Sequence, residues 1–461
     1  VKHTLIPALR TTLVSQKPVK KFCELPLEDA TVALLKQGPN TDPELAEEML
    51  KVLQTIPSNE FRNIRLLVCI LDLIVSKDDL RLAELGSQVL RLHPSFILFN
   101  EEAIRQTKDR LQRFSSESTI RYRLLELLVQ SCCTSNVGNE EKAKASEMPE
   151  TNCCWDVLVK AGVLSALIED FGKSDDPLIQ TNSLHLMSDL CRLEAGRKFL
   201  LFGAGSSVLS EAMTVLKQGP DAPFSIVRDA CLKLFTVLGS FSQDPVNEVF
   251  KVFPDFKSIL LKSLRDGELA ALEAAAELVR QDPIQRLPII LDDEALKSLR
   301  AGVGTLVSSG DVYCTVRALK ACDVLLDIQP VNSAAADLSE RVFWSMSLPL
   351  AQLCLRPFTE IQVVAFEVLE KIVRFRYGVT FLMRGSSHDL LLSLLDRSKA
   401  PSKEAKEVRW KVVNSLLTAH PEQRGVPEID SDIWLKLKNF QMQGPFHVEA
   451  YSQVLMEDST S

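Results

Sequence analysis

Aromatic side chains are scarce in this chain of 461 residues: Phe, Tyr and Trp together make up 6%. Strand signals are nearly absent too. No Asn-Gly or Asp-Gly turn sits between alternating apolar runs, and Asp266-Gly267 links two helical patterns instead. A β-sandwich or barrel is therefore not expected. An excess of positive charge is also missing. The net charge is −8, which speaks against a nucleic-acid binder, since such proteins carry a basic stripe to neutralise phosphates. No uninterrupted apolar run approaches the roughly 18 residues a membrane span requires. The longest candidate, Ile64 to Val75, is cut by Arg65 and Asp72. The N-terminal stretch has no signal-peptide pattern. Cys-x-x-Cys is absent, and the 11 cysteines form no disulfide framework. Cys69, Cys191, Cys231, Cys322 and Cys354 fall inside apolar helical runs and read as small buried hydrophobes. A reducing compartment follows, the cytosol or cytosol plus nucleus.

What is present is helix. Hydrophobic residues make up 46% and charged residues 25%, enough apolar material for a large core. Leu, Ala, Glu and Lys lose little freedom in helices. Between Ile226 and Leu238, apolar residues fall at 226, 227, 230, 231, 234, 235, 237 and 238, a 3.6-residue period with a wide apolar face. The same period runs through 361–373 and 312–326.

The helical patterns come in pairs, and the pairs repeat. First helices are expected to start at Ala161, Ala204, Phe253, Glu294, Ser345 and Ser387, at intervals of 43, 49, 41, 51 and 42. A small residue recurs in each second helix at Ser183, Ala230, Ala274, Ala318 and Ala365, at intervals of 47, 44, 44 and 47. Both series average near 45, the length of HEAT and armadillo repeats. A small side chain lets two helix backbones approach without a clash. Each pair alone would leave an apolar face in water, so neighbours must stack. The expected fold is an all-α, HEAT/armadillo-like solenoid, a superhelix of antiparallel helix pairs.

Residues 1–134 read as degenerate repeats, with helical runs near 27–37, 43–55, 60–76, 78–92, 97–113 and 118–132 separated by Gly38-Pro39, Pro57-Ser58 and His93-Pro94. Residues 135–152 are polar and read as a flexible loop. The clearer array follows at 153–450, and 451–461 reads as a disordered tail.

No constellation for chemistry emerges. The vicinal pairs Cys132-Cys133 and Cys153-Cys154 point about 100° apart on a helix and lack the spacing that brings two thiolates to one zinc ion. None of the six histidines has a second ligand at helical spacing. Ser387-His388-Asp389 spells a triad in consecutive residues, which cannot form the spatial arrangement; it reads as a helix N-terminus. Gly203-Ala204-Gly205-Ser206-Ser207 has neither the preceding strand nor the lysine of a phosphate loop. No enzymatic activity, cofactor, metal or small-molecule ligand is expected, and neither is a membrane or nucleic-acid partner. Two basic clusters, Lys17/Lys20/Lys21 and Arg397/Lys399/Lys403/Lys406/Arg409/Lys411, read as solvated faces or as contacts for an acidic partner. Second helices commonly line the binding face of a solenoid. The candidate partner-binding residues there are Asp229, Lys233, Glu273, Glu277 and Arg317. The four tryptophans, at 155, 344, 410 and 434, do not recur in register, unlike those of importin-type armadillo receptors.

Three segments carry a resemblance. Leu348 to Val373 reads LPLAQLCLRPFTEIQVVAFEVLEKIV, Leu391 to Leu417 contains Asp396-Arg397-Ser398 and Ser402-Lys403-Glu404-Ala405-Lys406, and Ile433 to Ala450 contains Gly444-Pro445-Phe446-His447-Val448. Together they resemble the 26S proteasome non-ATPase regulatory subunit 5 family, whose tail more often has tyrosines where Phe446 and His447 stand. The resemblance implies a helical-repeat chaperone of proteasome assembly. Such a protein binds the C-terminal region of an ATPase subunit of the 19S base, attends assembly intermediates with other base subunits, and hinders docking on the core particle. The rival expectation is a different armadillo/HEAT adaptor or scaffold with an unrelated protein partner.

Overall fold

The structure is a computed structural model that describes residues 31–36, 43–56, 63–76, 79–98, 100–114, 118–137, 151–219, 225–241, 245–383, 387–400, 402–422 and 429–447. Among these residues every regular element is helical and no strand occurs. The chain divides into two compact units, Val1–Phe241 and Ser242–Ser461.

The first unit opens with helical residues 31–36, followed by α1 (Pro43–Leu53), α2 (Ile64–Ile74), α3 (Leu80–Leu92), α4 (Pro94–Leu98) and α5 (Glu101–Arg113). It continues with α6 (Ser118–Val137), α7 (Thr151–Lys160), α8 (Val163–Lys173) and α9 (Pro177–Leu190). It closes with α10 (Glu194–Phe202), α11 (Ser206–Lys217) and α12 (Ser225–Ser240). The second unit begins with α13 (Pro245–Val252), α14 (Pro254–Arg265), α15 (Leu269–Val279), α16 (Pro283–Ile290), α17 (Asp293–Ser308) and α18 (Val312–Leu325). Then come α19 (Ser333–Met346), α20 (Leu350–Cys354), α21 (Thr359–Ile372), α22 (Arg376–Met383), α23 (Ser387–Leu395), α24 (Lys403–Ala419) and α25 (Ser431–Gln443).

Local chemistry sets many of these boundaries. Asp176 and Asp282 accept hydrogen bonds from the first turns of α9 and α16, and each is followed by proline at the first helical position. There the aspartate satisfies an orphan amide, and proline has none to leave unpaired. Asn63, Asp79, Asn100, Asp292, Asp311, Asn332 and Ser402 cap their helices in the same way.

The small-residue series lies where close approach requires it. Ser183, Ala230, Ala274, Ala318 and Ala365 are all buried. In the first unit α6 packs on α9 and α9 on α12; in the second, α15 packs on α18, α18 on α21 and α21 on α24. Large apolar groups on the same helices fill the space behind, among them Phe235 on α12 and Phe366 on α21. Burying each such side chain contributes roughly 1.5–3 kcal/mol.

From α7 onward each unit of repetition holds three helices rather than two. A further helix precedes each expected pair: α7, α10, α13, α16, α19 and α22. α10 meets α11 at 69°, an angular step characteristic of neither a plain hairpin nor a continued helix. The joint behind α10 depends on glycine. A Cβ on Gly196 would stand 2.0 Å from the Leu190 carbonyl oxygen at the end of α9. In the second compact unit, Gly378 on α22 would bring a Cβ to 2.0 Å from the Ile372 carbonyl oxygen at the end of α21. Both glycines follow the carbonyl by six residues and both precede Phe at the third position, Phe199 and Phe381.

The expected first helix beginning at Ser345 is corrected. Ser345 and Met346 end α19, Ser347 adopts the left-handed conformation with φ 49°, and only the five-residue α20 follows. Pro349 has no amide to donate and disfavours helix at Leu348, so the apolar run cannot continue as one helix. The helix expected from Ser387 starts there, whereas the one expected from Ala204 starts at Ser206, after a turn at 203–205. In the polar segment 135–152, α6 runs to Val137 and α7 begins at Thr151; these flanking helices pack on each other. The intervening 138–150, the tail 451–461 and the cluster Lys17/Lys20/Lys21 lie outside the described residues.

Candidate functional site

The second helices of the second unit, α15, α18, α21 and α24, present a continuous sequence of charged side chains between their buried rows. Glu273 on α15 and Arg317 on α18 face each other. Arg317 donates through Nε and Nη2 to the two carboxylate oxygens at 2.6 and 2.5 Å. The guanidinium also lies 5.1 Å from the Tyr313 ring centroid and donates to its hydroxyl at 3.1 Å. Tyr313 itself is 64% exposed. The Glu273 hydrogen bond holds Arg317 firmly protonated. Glu277 pairs along its own helix with Arg280 at 2.7 Å.

In the next interval Lys371 on α21 donates to Asp327, just past α18, at 2.6 Å. Glu370 accepts from Arg374 at 2.7 Å and from the Ser415 hydroxyl on α24. Partners in these three contacts between second helices stand 44, 44 and 45 residues apart. That is the repeat length, expressed as side-chain pairing between equivalent positions.

One carboxyl in this region is set apart. Burial raises Asp323 to about 6, Lys371 opposes the rise, and Glu367, Asp327 and Glu370 add to it. Its Oδ1 is buried and makes no hydrogen bond. A carboxyl that near neutrality exchanges charge within the physiological range.

The five candidate partner-binding residues therefore fall into two groups. Glu273 and Arg317 are brought together as one strut between repeats, with Glu277 a turn away on α15. Asp229 and Lys233 lie exposed on α12 in the first unit. Lys233 acts on His185 of α9: burial lowers the histidine, and the lysine charge lowers it further. Residues that sequence reasoning missed are Tyr313, Asp323, Asp327, Glu370 and Lys371. Their signal was available as acidic or basic residues spaced by one repeat, 323 against 367 and 327 against 371.

The basic cluster 397–411 is part structure and part surface. Arg409 is buried and donates to the carbonyls of Ser393, Asp396 and Lys399 at 3.2, 3.3 and 3.1 Å, with its guanidinium 5.0 Å from the Phe366 ring centroid. Arg397 donates to the carbonyls of Phe440 and Gly444 and lies 4.1 Å from the Phe440 ring centroid. These two arginines are neither a solvated face nor a free contact for an acidic partner. They satisfy helix-end carbonyls that would otherwise be orphaned. Asp396 caps the 3-10 turn Arg397–Lys399, Ser402 caps α24, and Gly444 ends α25 with φ 78°. The three motif fragments quoted above are thus joined in space: they fasten α25 onto the last repeat.

Among the described residues, most cysteines are buried, and His93 and His420 meet helix-end carbonyls. Every cysteine whose side chain is described is a free thiol, and all but Cys314 are buried. His93 meets the Leu53 carbonyl at 3.3 Å and His420 the Val373 carbonyl at 3.2 Å. Among the described residues no group of three or more His, Cys, Asp or Glu could hold a metal ion. Among them, too, no single helix is long and apolar enough to cross a membrane.

A family model described as proteasome non-ATPase 26S subunit matches residues 58–460. No curated protein matches the sequence. Among solved structures, an engineered protein is similar at 16% identity, covering 90% of this chain and 96% of its own, with a TM-score of 0.41. Kap121p is similar at 11% identity over 87% of this chain and 47% of its own, with a TM-score of 0.44. Importin beta is similar at 14% identity over 94% of this chain and 61% of its own, with a TM-score of 0.45.

Proposed function

Because this chain belongs to the proteasome non-ATPase 26S subunit family, we propose that it is a non-catalytic assembly chaperone of the proteasome regulatory particle, acting in the cytosol or in cytosol and nucleus. The reading is that it binds the C-terminal region of an ATPase subunit of the 19S base and attends intermediates containing other base subunits. While bound it obstructs premature docking on the core particle. The family match over residues 58–460 carries the proposal. The three motif segments near the end of the chain support the particular role within it.

The chemistry proposed is steric and stoichiometric. A small folded domain covering several second helices of one unit would bury on the order of 1,600 Å² in total. Asp229 and Lys233 would meet the partner as exposed charges. Glu273, Glu277 and Arg317 would meet it as a surface already paired within the chain, with Tyr313 standing out beside them. A pre-paired surface loses little side-chain freedom on binding, and an exposed tyrosine is a favoured anchor. Release follows when completion of the particle creates contacts that favour the unbound form of the ATPase.

A pull-down with the tagged chain from cell lysate tests the reading. Proteasomal ATPase subunits should be recovered, with little fully assembled proteasome. Recovery of neither ATPase subunits nor base intermediates would sink it. Crosslinking with a purified ATPase C-terminal region should then map to α12 in the first unit or to α15 and α18 in the second.

A further inference from the structure

The last described helix carries a surface that the proposed ATPase contact leaves unused. α25 packs toward α24 and α23, and its Trp434, Leu437 and Phe440 are buried. Polar contacts fasten it further. Trp410 Nε1 donates to the Gln441 carbonyl at 3.0 Å, Gln441 Nε2 donates to Asn414 Oδ1 at 2.8 Å, and Arg397 donates to the carbonyls of Phe440 and Gly444. On the other side of the helix Leu435 is 60% exposed and Met442 76%, and Phe446, just past its end, is 48% exposed. Leu435 and Met442 stand seven residues apart, two helical turns, and share one stripe. The terminal face of a solenoid is ordinarily polar, because no further repeat covers it.

The charges around this stripe select what covers it. Lys436 and Lys438 are exposed beside it, and neither has an ion-pair partner among the described residues. Lys438 Nζ lies 5.7 Å from the Trp434 ring centroid. Lys403 Nζ, on α24, stands 5.6 Å from the Phe446 ring centroid, and its ion pair with Glu407 is long and exposed, at 3.8 Å. The acid on this stripe, Asp432, sits in the first turn of α25. Charge therefore runs from negative at the start of α25 to positive along its middle and end. A second copy of the chain laid on the same face would bring lysines against lysines. An acidic helix meets them with opposite charge.

We propose that the outer face of α25 docks an amphipathic helix of a partner protein, acidic in its N-terminal half and antiparallel to α25. The apolar stripe of that helix covers Leu435 and Met442 and reaches Phe446. Its acidic residues meet Lys436, Lys438 and Lys403. The direction follows from the helix dipole, which favours acids in a first turn and bases in a last turn. The acidic start of the partner helix then faces Lys403, and its basic end faces Asp432. Because α25 is already fixed on the last repeat, docking orders little that was free. This surface uses no residue of α12, α15 or α18, so the partner here is additional to the ATPase subunit proposed above.

The test is fluorescence anisotropy on the full chain. The probe is a labelled synthetic helix of about four turns, with one leucine stripe, glutamates through its N-terminal half and a lysine in its last turn. Saturable binding is expected, with Kd on the order of 10 μM. Leu435→Asp and the double variant Lys436→Glu/Lys438→Glu should each weaken it by about tenfold or more. Both alter only exposed side chains, and an unchanged melting temperature shows that the fold is kept. The double variant should instead prefer a probe with lysines in place of the glutamates. A photoreactive group at the N-terminus of the acidic probe should label the Lys403 and Phe446 end. No saturation by about 1 mM, equal affinity of the wild type for both probes, indifference to Leu435→Asp, or labelling beside Asp432 overturns the proposal. So does a dimer of the chain that Leu435→Asp abolishes, since the second copy would then be the occupant.

Discussion

Both units stack their second helices on buried small residues, and they differ in the polar contacts that recur between those helices. In the second unit three ties recur one repeat apart, the ion pairs Arg317 to Glu273 and Lys371 to Asp327 and the hydroxyl of Ser415 to Glu370. In the first unit the ties between α6 and α9 are an amide and a thiol, Gln130 to the Asp189 carboxylate at 2.7 Å and Cys133 to the Asp189 carbonyl. Between α9 and α12, the Lys233 charge adds to burial in lowering the His185 imidazole. What the units share is the row of buried small residues and the glycine joints at 196 and 378. Packing forms the array, and the polar ties vary without changing it. A surface ion pair is worth only about 0–1 kcal/mol, whereas a steric conflict at a backbone contact costs more.

The largest effect is expected where the units agree. Gly196→Ala and Gly378→Ala each force a methyl group against a carbonyl oxygen, and each should destabilise by about 3 kcal/mol or more. Hydrogen exchange should show the loss confined to the unit that carries the substitution. A loss below about 0.5 kcal/mol would show that the joint yields easily, and the shared-geometry argument would fail. Arg409→Ala in α24 comes next. It strips donors from three carbonyls and should cost about 2 kcal/mol in the urea midpoint of the second unit.

The third expectation separates the units by pH. The folded pKa of Asp323, about 6, lies above its unfolded value near 3.8. The folded state therefore binds the proton more tightly. This contribution is fully present below about pH 4 and is lost as pH rises through 6. Asp323→Asn should flatten that slope and stabilise the second unit by about 1 kcal/mol at pH 7. Melting of the wild type and the variant from pH 4.5 to 8 checks it, and parallel curves would refute it. The smallest effect is Arg317→Gln, roughly 0.5 kcal/mol, fading in high salt. A larger, salt-independent loss would mean that the charged ties build the array after all.

Much of this architecture was legible beforehand. The small-residue series was visible because close helix contacts restrict side-chain size at each recurrence, and all five positions are buried. Most helix boundaries were legible from Asp, Asn, Gly and Pro punctuation. The third helix of each repeat was not. α10, α16 and α22 are only eight or nine residues long, too short for a period of 3.6 to declare itself beside their neighbours. Gly196 and Gly378 looked like ordinary helical glycines, because the carbonyl that excludes a side chain lies six residues earlier on another helix. Arg397 and Arg409 read as surface charge because composition does not reveal which carbonyls a fold leaves unpaired. At the candidate site the sequence singled out Glu273 and Arg317, and the structure showed that they bind each other.

The sequence by itself determined that the chain is helical, that it repeats near every 45 residues, and where small residues must stand. Those properties rest on local periodicity and on side-chain volume, which a linear sequence carries explicitly. Only the tertiary structure decided which charges are paired, which arginines are buried, and that Asp323 lies among other carboxylates. These depend on distances of a few ångströms between residues far apart in sequence. One such distance decides whether a charge is solvated, neutralised or shifted.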